Sequence, residues 1–109
     1  MSLKALSQEA IEWSLSELNK STDGRWEIKQ GKLSRDYTFR NFQQAFGFMT
    51  QCALVAERMD HHPEWSNSYN EVHIELTTED VEGLSEKDFL LAEQMEVHAS
   101  TIDYYRTTL

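Results

Sequence analysis

A chain of 109 residues, 39% hydrophobic and 27% charged, has the composition of one soluble domain with a thin core of about two layers of secondary structure, not that of a disordered segment. Its formal net charge of −9 argues against a nucleic-acid backbone as direct partner, because phosphate binding needs a basic footprint. The same charge suits an anionic membrane surface poorly.

Ser7 is placed to cap a first helix, with Glu9 in the first turn where a negative charge suits the helix dipole. Ile11, Leu15 and Leu18 then recur at helical spacing, and Asp23-Gly24 marks a turn. Trp26 and Ile28 alternate with charged residues as a short strand, and Gln30-Gly31-Lys32 reads as a hairpin turn. In the second strand Leu33, Arg35, Tyr37 and Phe39 share one side, with Ser34, Asp36 and Thr38 on the other.

The next segment carries the strongest helical pattern. Asn41 is a candidate cap, Phe42, Phe46, Met49, Ala53 and Ala56 form the main apolar stripe, and Ala45, Phe48, Cys52 and Val55 widen it. Cys52 is the sole cysteine, so no intramolecular disulfide can form. A lone thiol in an apolar run reads as a small buried hydrophobe in a reducing compartment. With no signal-like start and no apolar run of membrane-spanning length, the cytoplasm is the expected location.

Pro63 is expected to end this helix, because the residue before a proline is pushed out of the helical region; His62 should therefore be extended. Trp65, Asn67 and Tyr69 alternate in a third strand, and Val72, Ile74 and Leu76 give a fourth strand a clean apolar face. Ser85-Glu86-Lys87-Asp88 resembles a capping box opening a last helix, whose stripe is Leu91, Met95, Ala99 and Ile102. The order α-β-β-α-β-β-α predicts an α+β fold: one domain over 1–109, with a four-stranded antiparallel sheet and three helices packed on one face. The other face is expected to be open or partly covered by another subunit.

The stretch Glu57-Arg58-Met59-Asp60-His61-His62-Pro63-Glu64-Trp65 concentrates chemistry. Glu57 and His61, four apart, can share one face of a helix end. The negative end of the helix dipole and nearby carboxylates both favour an imidazolium, which suits a group that moves protons near neutrality. The alternative is a solvated polar corner. A metal site is not expected, since no zinc-type spacing occurs. His73, on the polar side of a strand, and His98, beside the last apolar stripe, read as structural or exposed. Asp88 reads as the third residue of the capping box. Trp65 and Tyr69 could form an aromatic wall for a flat ring or simply pack in the sheet.

Asp60-His61-His62-Pro63-Glu64-Trp65, Tyr69-Asn70, Val72-His73-Ile74 and Gly83-Leu84-Ser85-Glu86, together with Arg40-Asn41-Phe42 and Ala45-Phe46-Gly47-Phe48-Met49, resemble the pterin-4a-carbinolamine dehydratases. The likeness runs from about Trp26 to the last helix. It implies a four-stranded antiparallel sheet with helices on one side, in homodimers that extend the sheet or homotetramers paired through helices. It implies dehydration of 4a-hydroxytetrahydropterin to quinonoid dihydropterin without metal or organic cofactor, recycling the pterin of aromatic amino-acid hydroxylases. Some animal members also bind a homeodomain transcription factor.

Carried onto this chain, the resemblance makes His61 the main acid–base group and His62 an orienting or secondary one. Glu57 and Asp88 would tune the histidines. Asp60, Pro63 and the segment Thr77, Thr78, Glu79, Asp80 would contact the pterin, with Trp65 and Tyr69 as candidate ring contacts. One position departs from the family: Glu79 stands where a third histidine is usual. An ordinary carboxylate is ionised at neutral pH and cannot donate a proton, whereas an imidazole is partly protonated there. Weaker catalysis, or a non-catalytic pterin-binding or dimerising module of the same fold, is the alternative this substitution opens.

Overall fold

The structure, a computed structural model, describes residues 3–102. Its elements in chain order are α1 (Gln8–Lys20), β1 (Glu27–Lys29), β2 (Lys32–Thr38), α2 (Phe42–Met59), β3 (Glu64–Ser68), β4 (Glu71–Leu76) and α3 (Glu86–Thr101), with a short 3-10 turn at Glu79–Val81. The strands form one antiparallel sheet in the order β1-β2-β4-β3, so the architecture is the α+β one expected. Two hairpins are joined by α2, and β4 pairs inward with β2, leaving β1 and β3 as edges. In the first hairpin Gln30 and Gly31 both take positive φ, 51° and 78°, a turn whose twist matches that of the flanking strands.

The caps read from the sequence are in place. Ser7 accepts from the Ala10 amide, Asn41 from the Gln44 amide and Ser85 from the Lys87 amide, each satisfying an otherwise unpaired helix-start donor.

Alternation decides the sheet's faces. Leu33, Tyr37 and Phe39, with Val72, Ile74 and Leu76 of β4, are buried beneath the helices. The rings of Tyr37, Phe39 and Phe48 lie 4.8–5.8 Å apart, centroid to centroid. From α3 come Leu91, Ala92, Met95 and Ala99. In α2 the structure corrects the expected stripe. Ala45, Phe48, Cys52, Val55 and Ala56 face the core, while Phe42 and Phe46 are 47% and 54% exposed and Ala53 is exposed. Two apolar stripes run side by side on this helix, and periodicity alone does not say which one meets the sheet.

Arg35, expected on the apolar side of β2, lies there with its side chain 2% exposed. A buried guanidinium needs partners. Asp23 meets it at 2.5 and 2.9 Å and Glu96 at 2.6 Å. The same Glu96 oxygen accepts from the Trp26 indole at 3.0 Å and from the Tyr37 hydroxyl. This cluster fastens the second half of α3 to β2 and to the chain entering β1. On the opposite, polar face, His73 lies between Asp36 at 2.5 Å and Glu75 at 3.1 Å.

Candidate active site

The histidines singled out in the sequence lie where α2 ends, before Pro63 is reached. Asp60 adopts the left-handed conformation, φ 53° and ψ 45°, and its amide bonds back to Ala56 and Glu57. The His61 amide reaches the Ala56 carbonyl at 3.0 Å. These bonds satisfy the last helix carbonyls by a left-handed close that asparagine and aspartate tolerate better than most residues. Asp60, not the proline, is therefore the helix terminator. The reversal turns His61 inward, where only 8% of it is exposed.

Asp88, fully buried in the first turn of α3, receives the ring: His61 Nε2 lies 2.6 Å from Asp88 Oδ1. The other carboxylate oxygen, Oδ2, accepts from the Ser85 amide at 3.0 Å and from the Thr78 hydroxyl at 2.7 Å. The capping carboxylate thus divides its oxygens, one closing the helix start and one holding the histidine. With the carboxylate as acceptor throughout, Nε2 carries the proton of the neutral ring and Nδ1 keeps the lone pair.

Glu57 does not partner His61. It meets His62 instead, Oε1 to Nε2 at 2.8 Å, with both side chains largely exposed. The reversal at Asp60 takes His61 off the helix face it would otherwise share with Glu57.

Asp60, His61, His62, Thr77, Thr78, Glu79 and Asp80 line one open cavity of about 270 Å³. Pro63 is the half-buried link from His62 into β3. Glu79 and Asp80 are exposed in the 3-10 turn, at the end of β4 nearest the histidines. Two expected contacts are not brought in. Tyr69 sits in the β3–β4 turn with φ 51°, 63% exposed, at the far end of β3. Trp65 pairs with Ile74 and packs against the core, outside the cavity lining.

Sequence reasoning missed Glu64 and Lys87, which also line the cavity, and Ser85, whose hydroxyl meets that of Thr78 at 2.7 Å. The capping-box pattern was the available signal for Ser85, since the same residues that close the helix support Asp88. Cys52 stands apart: burial pushes its thiol up to about 12, so it stays protonated and unreactive. His98 bonds to Gln51 at 2.8 Å between α3 and α2. A larger hollow of about 520 Å³ beside Asp23, Glu93 and Glu96 contains no histidine, and two of its three carboxylates, Asp23 and Glu96, are engaged by Arg35.

Comparison with known proteins shows the family and the fold. The sequence model of the family described as pterin 4 alpha carbinolamine dehydratase matches residues 4–98. A Chelativorans sp. (strain BNC1) protein named "Putative pterin-4-alpha-carbinolamine dehydratase" is 45% identical over 102 residues, 92% of this chain and 99% of its own. One of the same name from Prochlorococcus marinus (strain MIT 9313) is 60% identical over 68 residues, 62% of this chain and 71% of its own. A crystal structure from Brucella melitensis, described as a transcriptional coactivator/pterin dehydratase, superposes with a TM-score of 0.78 at 38% identity, over 87% of this chain and 98% of that one. By sequence and by fold, the chain belongs to the pterin 4 alpha carbinolamine dehydratase family, a family of hydro-lyases.

Proposed function

We propose that the cavity at His61 and His62 eliminates water from a 4a-hydroxytetrahydropterin, giving the quinonoid dihydropterin. The observation that carries this reading is the Asp88–His61 contact of 2.6 Å. It holds an imidazole at a cavity wall and leaves Nδ1 without a hydrogen bond to the described residues. In the elimination the C4a–O bond breaks and the hydroxyl leaves with an added proton as water. The proton on N5 is lost, and its bonding pair becomes the C4a=N5 double bond. No net oxidation occurs, so the step requires only groups that give and take protons near neutral pH.

His61 Nδ1 is the main proton-exchanging atom. His62, steadied by Glu57, is the orienting or secondary one. Asp60, Thr77, Glu79 and Asp80 supply polar contacts along the same wall. Restoration of a tetrahydropterin in the cytoplasm is the setting this chemistry fits.

A second reading is favoured by Glu79, which stands where the resemblance leads one to expect a third histidine. The chain would then bind a pterin or a protein without efficient dehydration. The Brucella protein's description as a coactivator as well as a dehydratase is consistent with a protein partner for this fold. Assembly into a homodimer or homotetramer follows from the thin core and the exposed edge β3. Sedimentation equilibrium giving only monomer at micromolar concentration contradicts it. The two functional readings separate when the protein is mixed with freshly generated 4a-hydroxytetrahydropterin. The dehydratase removes the carbinolamine absorbance faster than the spontaneous reaction does, and the module leaves it at the spontaneous rate.

A further inference from the structure

Thr78 was expected to hydrogen-bond substrate, yet it is only 3% exposed and its hydroxyl is spent inside the protein. The hydrogen-bond directions can be followed atom by atom. The Lys87 amide donates to Ser85 Oγ at 3.2 Å. Ser85 Oγ lies 2.7 Å from Thr78 Oγ1, and Thr78 Oγ1 donates to Asp88 Oδ2 at 2.7 Å. A hydroxyl has one proton to give. Thr78 gives its proton to Asp88, so Ser85 must give its own to Thr78. The chain therefore runs one way, from the Lys87 amide through two hydroxyls to the carboxylate that holds His61. The Thr78 backbone also brackets the turn bearing Glu79: its amide bonds to the Gly83 carbonyl at 2.8 Å and its carbonyl accepts from the Gly83 amide at 3.3 Å.

We propose that Thr78 and Ser85 are positioning residues for His61, acting through Asp88. Their hydroxyls fix the carboxylate's rotation so that Oδ1 faces the imidazole, and they share its negative charge. The proposal deepens the dehydratase reading, but its main test does not depend on that reading. Removing the Thr78 hydroxyl withdraws one of the two donors on Oδ2. The carboxylate then concentrates more charge on Oδ1, which favours the imidazolium of His61.

The experiment is ¹⁵N NMR of the histidine rings through a pH titration of the full-length wild type, Thr78→Val, Thr78→Ser and Ser85→Ala. The other titratable groups lining the cavity (Asp60, His62, Glu64, Glu79, Asp80 and Lys87) are common to all four proteins, so a difference between them reports the hydroxyl chain. Wild type is expected to show the Nε2–H form of neutral His61. Thr78→Val is expected to move the His61 midpoint to higher pH and to raise the Nδ1–H fraction. Thr78→Ser should restore both, and Ser85→Ala should show a smaller shift in the same direction. Where dehydration is measurable, Thr78→Val should lower kcat about tenfold, a small part of the roughly 10²–10⁴-fold that a positioned acid–base group supplies, with KM little changed. Should Thr78→Val not fold, Ser85→Ala decides. A His61 titration and tautomer coinciding with wild type in the folded variants overturns the proposal, whatever the protein's activity. Inactivity toward the carbinolamine with the NMR shifts present would instead overturn the dehydratase reading alone.

Discussion

His61 and Asp88 are 27 residues apart in sequence and 2.6 Å apart in space, and each is placed by the end of a helix. The left-handed close of α2 delivers the imidazole, and the capping box of α3 delivers the carboxylate. On the proposed dehydratase reading, stability and reactivity therefore depend on the same side chain.

Asp88→Ala should accordingly damage both. It removes the acceptor for three donors, the Ser85 amide, the Thr78 hydroxyl and the His61 ring. Leaving buried donors without partners costs about 1–3 kcal/mol. Chemical denaturation should show a loss on that scale, and the dehydration rate should fall with it. A variant as stable as wild type would mean that the buried contacts contribute little.

Glu79 lies in the 3-10 turn at the mouth of the cavity. Replacing it by histidine supplies a group that can be partly protonated near neutrality, where an ordinary glutamate is ionised. Glu79→His should raise turnover near neutral pH and displace the optimum, without altering the fold. The check is a pair of pH–rate profiles on the same carbinolamine with the spontaneous rate subtracted. Equal or slower turnover across the range would show that Glu79 is a competent replacement or lies outside the reaction.

The polar face of the sheet carries a pH dependence of its own. Hydrogen bonds to Asp36 and then Glu75 raise His73 above its ordinary 6.5, and the hydrogen bond to His73 lowers Glu75 below its ordinary 4.5. The raised His73 contributes stability fully below pH 6.5, and this is lost as pH climbs through its folded value. The lowered Glu75 contributes fully above pH 4.5, and this is lost as pH falls through its folded value. Both contributions are complete only between pH 4.5 and 6.5. His73 is 41% exposed, so its own contribution should be about 1 kcal/mol or less. Urea unfolding of wild type and His73→Gln from pH 4 to 9 should diverge most inside that window. Parallel curves across the range would remove the cluster as a contributor.

The sequence made the sheet legible because Val72–Leu76 alternates cleanly and Leu33–Phe39 alternates but for the charged Arg35 on its apolar side, and the helix starts legible because Ser7, Asn41 and Ser85 are strong caps. It did not reveal which of the two stripes of α2 meets the sheet, since that depends on tertiary packing. Pro63 was an overt stop signal, but the left-handed close at Asp60 acts first. That difference moved Glu57 from His61 to His62. The buried Arg35 cluster was also hidden, because Asp23 and Glu96 converge on it from distant parts of the chain. At the site, His61, His62 and Asp88 could be named from local pattern and family resemblance. Which carboxylate meets which histidine could not, because the Asp88–His61 contact joins two helix ends across the fold.

The most direct measurement is the rate of loss of 4a-hydroxytetrahydropterin with wild type and His61→Ala side by side, each shown to be folded by circular dichroism and corrected for the spontaneous reaction. Dehydration driven by the oriented imidazole predicts clear acceleration by wild type and a fall of roughly 10²-fold or more in the variant, the scale of a positioned acid–base group. Wild type held at the spontaneous rate, or His61→Ala turning over as fast as wild type, would contradict it.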